Sequence, residues 1–294
     1  MRDRIQPPED GIHEDIDFET YCAWDAWNSS AFKDFTLSPW HILSARKGET
    51  DNDSPTKLLG RAAHAAVLEG PTAFKSRYTL APDINKNHND YKAWAKNAKA
   101  KGIEIITKKQ HDTVLGIAGS INRHDQMKAL VLTPGAAEVS CVWTCPETGL
   151  RCKMRCDRFL AGQFIFDLKT CANAASRAIQ GDAIAYGYDI QAAHYLQGLR
   201  VLAGTDARFI WGFVETDAPF AINLFTPDAA MLKSGRIRLK TAMSIVRRCV
   251  EENNWPLYSN QPGTTYSTEV RDLPPPVWRE RELQYEIDPE ETHL

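Results

Sequence analysis

The stretch Gln163-Phe164-Ile165-Phe166-Asp167-Leu168-Lys169-Thr170 decides the reading of the fold. Its residues alternate, so an extended chain places Ile165, Asp167 and Lys169 on one face and Phe164, Phe166 and Leu168 on the other. Three large apolar side chains on one face predict a strand covered by a neighbouring layer. An acid and an amine two residues apart at the end of that strand then point the same way, and burying them is costly unless polar groups or ions meet them.

Upstream, Pro146-Glu147-Thr148-Gly149 is a turn sequence. Pairing Cys145 with Leu150 closes a hairpin in which partner numbers sum to 295 along the ladder. One face collects Val139, Cys141, Trp143 and Cys145 with Leu150, Cys152, Met154 and Cys156. The other collects Glu138, Ser140, Val142 and Thr144 with Arg151, Lys153, Arg155 and Asp157. On this register Glu138 lies across from Asp157. Carboxylates opposed within about 5 Å repel unless a cation sits between them. A divalent metal would supply that charge; strand ends standing in solvent would tolerate the pair as well.

Asp157 followed by Asp167-Leu168-Lys169 makes a D...DxK pattern in a strand context. Phosphodiester hydrolysis requires charge neutralisation at the phosphoryl oxygens and an activated water, and Mg²⁺ takes one or two carboxylates while keeping several waters. Asp157 and Asp167 suit ligation, and the Leu168 carbonyl could complete the coordination sphere. Lys169 would hold the attacking water or help deprotonate it. A short acid-x-Lys triplet alone recurs by chance in many sequences.

Outward from this sheet the patterns turn helical. Two short helices are expected over 21–47 around the Leu37-Ser38-Pro39-Trp40 turn, with Ser30 as N-cap. A compact helix over 57–69 is stopped by Gly70-Pro71. Residues 83–101 read as a mobile loop or a solvated helix. Thr107 and Gln110 have the form of a capping box, opening a helix to about residue 127. After the three strand segments come a helix over 186–202, strands at 209–215 and up to 225, and a long helix over 227–253. This predicts an N-terminal tail (1–20), a catalytic domain (21–258) and an extended C-terminal segment (259–294).

The 294 residues are 43% hydrophobic with a formal charge of -3, so any nucleic-acid surface has to be a local basic lining. Lys233, Arg236, Arg238, Lys240, Arg247 and Arg248 make the last long helix basic, as a DNA channel or as a solvated face. No stretch approaches the roughly 18 apolar residues of a membrane span, and the polar start lacks signal-peptide character, which predicts a cytoplasmic protein. Seven cysteines, an odd number, read as reduced thiols. Cys141, Cys145, Cys152 and Cys156 fit core thiols better than a metal cluster, because they share the apolar hairpin face with Trp143 and Met154.

Two more signals complete the pattern. Gly60 precedes His64 by one helical turn, and Gln191 and Tyr195 lie one turn apart on a helix face. Singly they are ordinary: a lone histidine is more often a satisfied core residue than a ligand. In order, however, G-x-x-x-H, Asp, DxK and Q-x-x-x-Y resemble the RecE and RecB branch of the PD-(D/E)XK nuclease superfamily, over roughly 21–278, and most closely the RecE-type (exodeoxyribonuclease VIII-like) exonucleases of phages and prophages.

The resemblance implies an α/β (α+β) fold, with a central mixed sheet flanked by helices. It implies that His64, Asp157 and Asp167 bind Mg²⁺, with Mn²⁺ able to substitute, that Lys169 serves the nucleophilic water, and that Gln191 and Tyr195 touch DNA or brace the site. Glu138 joins the set from the hairpin register, and Ser30 and Lys33 are candidates for contacting a 5′ phosphate. It further implies a homo-oligomeric ring that admits double-stranded DNA ends. Such a ring degrades one strand 5′ to 3′, leaving 3′ single-stranded tails for a RecT-like annealing protein, inside a bacterial cell or phage-infected host. A PD-(D/E)XK endonuclease and a catalytically silent DNA-binding module are the competing readings.

Overall fold

A computed structural model describes residues 4–47, 54–132, 136–160, 163–258, 270 and 273–276. In chain order the elements are β1 (Gly11–His13), α1 (Phe18–Ala23), α2 (Ser29–Phe32), α3 (Pro39–Lys47), α4 (Pro55–His64), α5 (Pro71–Arg77), β2 (Tyr78–Leu80), α6 (Asn89–Ala100), β3 (Glu104–Ile106), α7 (Lys108–Arg123) and α8 (Asp125–Leu132). They continue with β4 (Ala136–Thr144), β5 (Arg151–Leu160), β6 (Phe164–Cys171), α9 (Ser176–Ala185), α10 (Tyr188–Ala203), β7 (Arg208–Glu215), β8 (Ile222–Phe225) and α11 (Ala229–Glu251).

Six strands form one mixed sheet in the order β1-β4-β5-β6-β7-β8, while β2 and β3 pair separately in parallel. Only β6 and β7 run parallel within the large sheet, and α9 and α10 supply their crossover. This is the expected α/β fold with a mixed sheet between helices. The alternation of β6 is realised as two layers. Ile165 packs with Trp143, Phe209 and Phe213 beneath α10 and α11, whereas Phe166 and Leu168 pack with Ala62, Ile117 and Met127 beneath α4, α7 and α8. Phe166 is fully buried, a contribution of roughly 1.5–3 kcal/mol.

The hairpin has the expected register, from Thr144↔Arg151 to Ala136↔Phe159. Cys141, Cys145, Cys152 and Cys156 are buried in the α10 layer. The middle of the polar hairpin face is buried too, because residues 11–26, which include the end of the segment expected as a tail, fold over it. β1 pairs with β4, and Tyr21, Trp24 and Ala26 pack on Val142. Lys153 is only 3% exposed. Its Nζ donates to the carbonyls of Tyr21 (2.7 Å), Cys22 (3.2 Å) and Trp24 (2.9 Å), at the C-terminal end of α1.

Elsewhere the local signals hold with shifted bounds. Thr107 and Gln110 form the capping box of α7, which ends at His124 before α8. The solvated stretch contains α6. Alternation and turn signals did not reveal α9, β1, β2 or β3. The α2 cap is Asn28, whose side chain accepts from the Ala31 N–H; Ser30 lies inside the helix and is exposed, so its expected capping role is corrected. α10 and α11 pack closely because Gly235 faces the Asp189 carbonyl, where any Cβ would collide. Arg238 closes the contact on fully buried Asp189 at 2.6 Å. Among the described residues no helix is long and apolar enough to cross a membrane. The expected C-terminal segment lies outside the described residues, apart from 270 and 273–276.

Candidate active site

The site forms where two ladders fail together. Along β4 and β5 the pairing is continuous except at Glu138 and Asp157, where Glu138 adopts a left-handed backbone with φ 55°. The register is the same on both sides of the break, so no residue is inserted; the strand is locally wrung, a conformation costing about 1–3 kcal/mol for a non-glycine residue. Between β5 and β6 the ladder runs Leu160↔Phe164, Phe159↔Ile165, Arg158↔Phe166 and stops. One step further would set Asp157 opposite Asp167. Instead the strands part, and Asp157 Oδ2 accepts the Leu168 N–H at 2.6 Å in place of a backbone carbonyl.

Into this opening α4 delivers His64, its last residue before the helix loosens into a π turn over Ala65–Glu69. His64 Nε2 lies 2.8 Å from the Leu168 carbonyl, and Nδ1 lies 3.6 Å from Asp157 Oδ2. A carbonyl only accepts, so Nε2 carries the proton, and in the neutral ring Nδ1 is left as a donor atom for an ion. His64, Glu138 and Asp157 each offer one ligand atom, all within 4.8 Å of one another. Arg155 Nε holds Glu138 Oε2 at 2.7 Å, its guanidinium anchored further on Ser140 and the Ile16 carbonyl.

Asp167 stands beside this trio rather than inside it. Its Oδ1 accepts from Gln191 Nε2 at 2.6 Å, and its Oδ2 lies 2.6 Å from Lys169 Nζ. Lys169 Nζ also sits 5.3 Å from the centre of the Tyr188 ring, a cation–π seat supplied by the first residue of α10.

The electrostatics follow from crowding acids in a dry place. Burial, with Asp167 and Glu138 nearby, pushes the Asp157 carboxyl up to about 7 against the opposing pull of His64. For His64, burial alone would lower the imidazole, but the carboxylates of Asp157, Glu138 and Asp167 outweigh it and hold it above its ordinary value. Burial likewise opposes the charge on Lys169, and Asp167 with Asp157 overcomes it, raising the amine. Lys169 is therefore an ammonium donor in this arrangement. One imidazole nitrogen and two carboxylates, with the Leu168 carbonyl beside them, are a donor set that fits a divalent metal ion.

A family model for a PDDEXK-like domain of unknown function (DUF3799) matches residues 28–265. The chain belongs to this PDDEXK-like family. The match covers α4, β4 to β6 and α10, and so His64, Glu138, Arg155, Asp157, Asp167, Lys169, Tyr188 and Gln191. No match is found among curated protein sequences. The crystal structure of a "putative exonuclease" from Eubacterium rectale shares the fold, with a TM-score of 0.58 at 18% identity over 90% of this chain and 94% of that one. A phage related exonuclease from Haemophilus somnus aligns at 13% identity over 66% of this chain and 95% of that one, with a TM-score of 0.26.

Within this PDDEXK-like frame the candidate residues divide. His64, Glu138 and Asp157 converge; Asp167, Lys169 and Gln191 form a second, adjoining group; the Leu168 carbonyl lies between them, bonded to His64. Tyr195 is 7% exposed and its hydroxyl donates to the Arg155 carbonyl at 3.0 Å, which ties α10 to β5. Ser30 and Lys33 are both exposed, and Lys33 packs against the left-handed Gly187 that opens α10. Arg155 and Tyr188 were not singled out from sequence. Arg155 shares the polar hairpin face with Asp157, and Tyr188 lies one turn before Gln191, but nothing in the pattern marks either as a partner of Glu138 or Lys169.

Proposed function

We propose that this protein is a divalent-metal-dependent DNA nuclease that works from the ends of linear duplex DNA, resecting one strand 5′ to 3′ to leave 3′ single-stranded tails. The observation that carries the reading is the juxtaposition of the His64–Glu138–Asp157 trio with the Asp167–Lys169 pair at the parted ends of β5 and β6. Mg²⁺ held there would neutralise phosphoryl charge and lower the pKa of a bound water. His64, Glu138 and Asp157 orient that ion, and Arg155 fixes the Glu138 rotamer. Lys169, seated on Tyr188 and paired with Asp167, donates to the attacking water or to a phosphoryl oxygen as charge develops. Gln191 holds Asp167 in place.

Preference for ends is supported by the order of motifs, which resembles RecE-type enzymes, and by the fold shared with the Eubacterium rectale protein described as a "putative exonuclease". On the same resemblance the protein would assemble as a homo-oligomeric ring, act in the cytoplasm and hand its product strand to a RecT-like annealing protein.

The test is incubation of linear and closed circular duplex with Mg²⁺, using wild type and Lys169→Ala. Linear DNA should be consumed and circles spared, with the variant slower on the order of 10²- to 10⁴-fold. Cutting of circles would turn the reading towards an endonuclease, and equal rates for wild type and variant would remove the role given to Lys169.

A further inference from the structure

A groove lies away from the acidic cluster. It holds about 570 Å³ between the C-terminal halves of α10 and α11, against the turn joining β4 to β5. Its floor is apolar, with Leu239 and Met243, and its walls carry Arg200, Arg236, Lys240, Arg247 and Arg248. Two of these cations already have acids: Arg200 is paired with Asp206 and Arg247 with Glu251. Among the described residues no acid is paired with Arg236, Lys240 or Arg248. A second depression of about 440 Å³ lies across the ridge of α11 and shares Lys240, Ser244 and Arg248 with the first. These three positions are one helical turn apart and exposed, so they form a straight row with a cation at each end.

We propose that this row and groove form a track for a single strand of nucleic acid outside the cleavage site, an inference that rests on the nuclease reading above. The chemistry favours a phosphodiester strand. Unpaired guanidinium and ammonium groups at helical spacing match a line of phosphates. A concave channel with an apolar floor suits the sugars and bases of an unpaired strand, whereas a duplex presents a convex wall of phosphates that would not enter it. α10 connects the two regions: its start places Tyr188 and Gln191 at the acids, and roughly 13 Å further along the same helix Arg200 reaches the groove. The row itself is roughly 12 Å long, so a strand of a few nucleotides already covers it, and the track should act on single strands and scarcely on duplex.

The experiment measures binding of a fluorescently labelled single strand of roughly 30 nucleotides, and of a blunt duplex of the same length, to the full chain by anisotropy, in EDTA and over a salt series. It compares wild type, Arg236→Ser/Lys240→Ser/Arg248→Ser, and the charge-preserving Arg236→Lys/Lys240→Arg/Arg248→Lys. The neutralised variant should bind the single strand about tenfold more weakly near physiological salt, with a salt slope flatter by roughly 2. Its affinity for the duplex should fall by less than about threefold, and the charge-preserving variant should retain single-strand binding. Equal losses on single strand and duplex, or an unchanged slope, would overturn the track. So would a change in oligomeric state on size exclusion, which would make the groove a contact between copies. Mg²⁺-dependent consumption of the duplex by wild type is scored separately, so failure of the nuclease reading and failure of the track are told apart.

Discussion

Asp157 and Leu168 are joined across the gap between two strands: the Leu168 N–H donates to Asp157 Oδ2 at 2.6 Å, where a backbone carbonyl would normally accept. The bond satisfies a buried donor stranded by the parting of the ladder, and it fixes the acid against the peptide that lies between Asp167 and Lys169. One carboxylate therefore serves structure and ligand set at once.

Asp157→Asn and Asp157→Ala should separate these two roles. Asparagine keeps an oxygen for the Leu168 N–H, so thermal unfolding should stay within about 1 kcal/mol of wild type while cleavage is lost. Alanine strands the N–H and should cost about 1–3 kcal/mol as well. Equal stability of the two variants would show that the bond carries no weight.

Mg²⁺ should stabilise the fold, and increasingly so as pH rises. Burial raises the Asp157 pKa from 3.8 to about 7, so the folded state favours the protonated acid. The stability this contributes is complete below pH 3.8 and is lost as pH rises through 7, where the bare carboxylate becomes a cost. A cation binding the deprotonated trio offsets that cost, by about 2.7 kcal/mol at a hundredfold excess over Kd. Melting curves with and without Mg²⁺ from pH 5 to 8 should diverge, and Glu138→Gln should shrink the divergence; a pH-independent shift would contradict the trio as the binding site.

Gln191 acts on Asp167 rather than on the trio. Gln191→Leu removes the donor to Asp167 Oδ1 and should slow single-turnover cleavage about 10- to 100-fold with little change in melting temperature. Gln191→Glu places like charges together and should be the slower of the two. A rate for Gln191→Leu indistinguishable from wild type would reduce the residue to packing.

Lys153 supplies a pH signature far from the acids. Burial pushes its ammonium down to about 7, despite the three carbonyls it serves, whereas the unfolded chain keeps it near 10.5. The unfolded state then binds more protons between those values, so this group's cost is full below pH 7 and is relieved as pH rises towards 10. Denaturant unfolding of wild type and Lys153→Met should diverge in favour of wild type across that window. Parallel pH profiles would mean that the carbonyls hold the charge without penalty.

Much of the site was legible because its carriers are local. Alternation placed Asp167 and Lys169 on one face, the turn at 146–149 fixed the hairpin register, and that register set Glu138 across from Asp157, where the structure has them converge with His64. The Ser30 cap failed because Asn28, two residues earlier, accepts the Ala31 N–H and starts the helix there, leaving Ser30 inside it. α9 escaped notice because its few buried positions, Ile179 and Ala183, give a weak apolar stripe.

The sequence by itself determined the strand periodicity, the register and the order of chemistry-bearing residues, since each follows from a two-residue backbone repeat or a turn within a few residues. Only the tertiary structure decided that both ladders break at Asp157, that Asp167 meets Lys169 and Gln191 beside the trio, and that residues 11–26 cover the middle of the polar hairpin face. Those outcomes depend on groups distant in the chain, His64 from α4 and Gln191 from α10 among them, whose meeting is set by packing on opposite sides of one sheet and by the charge balance it enforces.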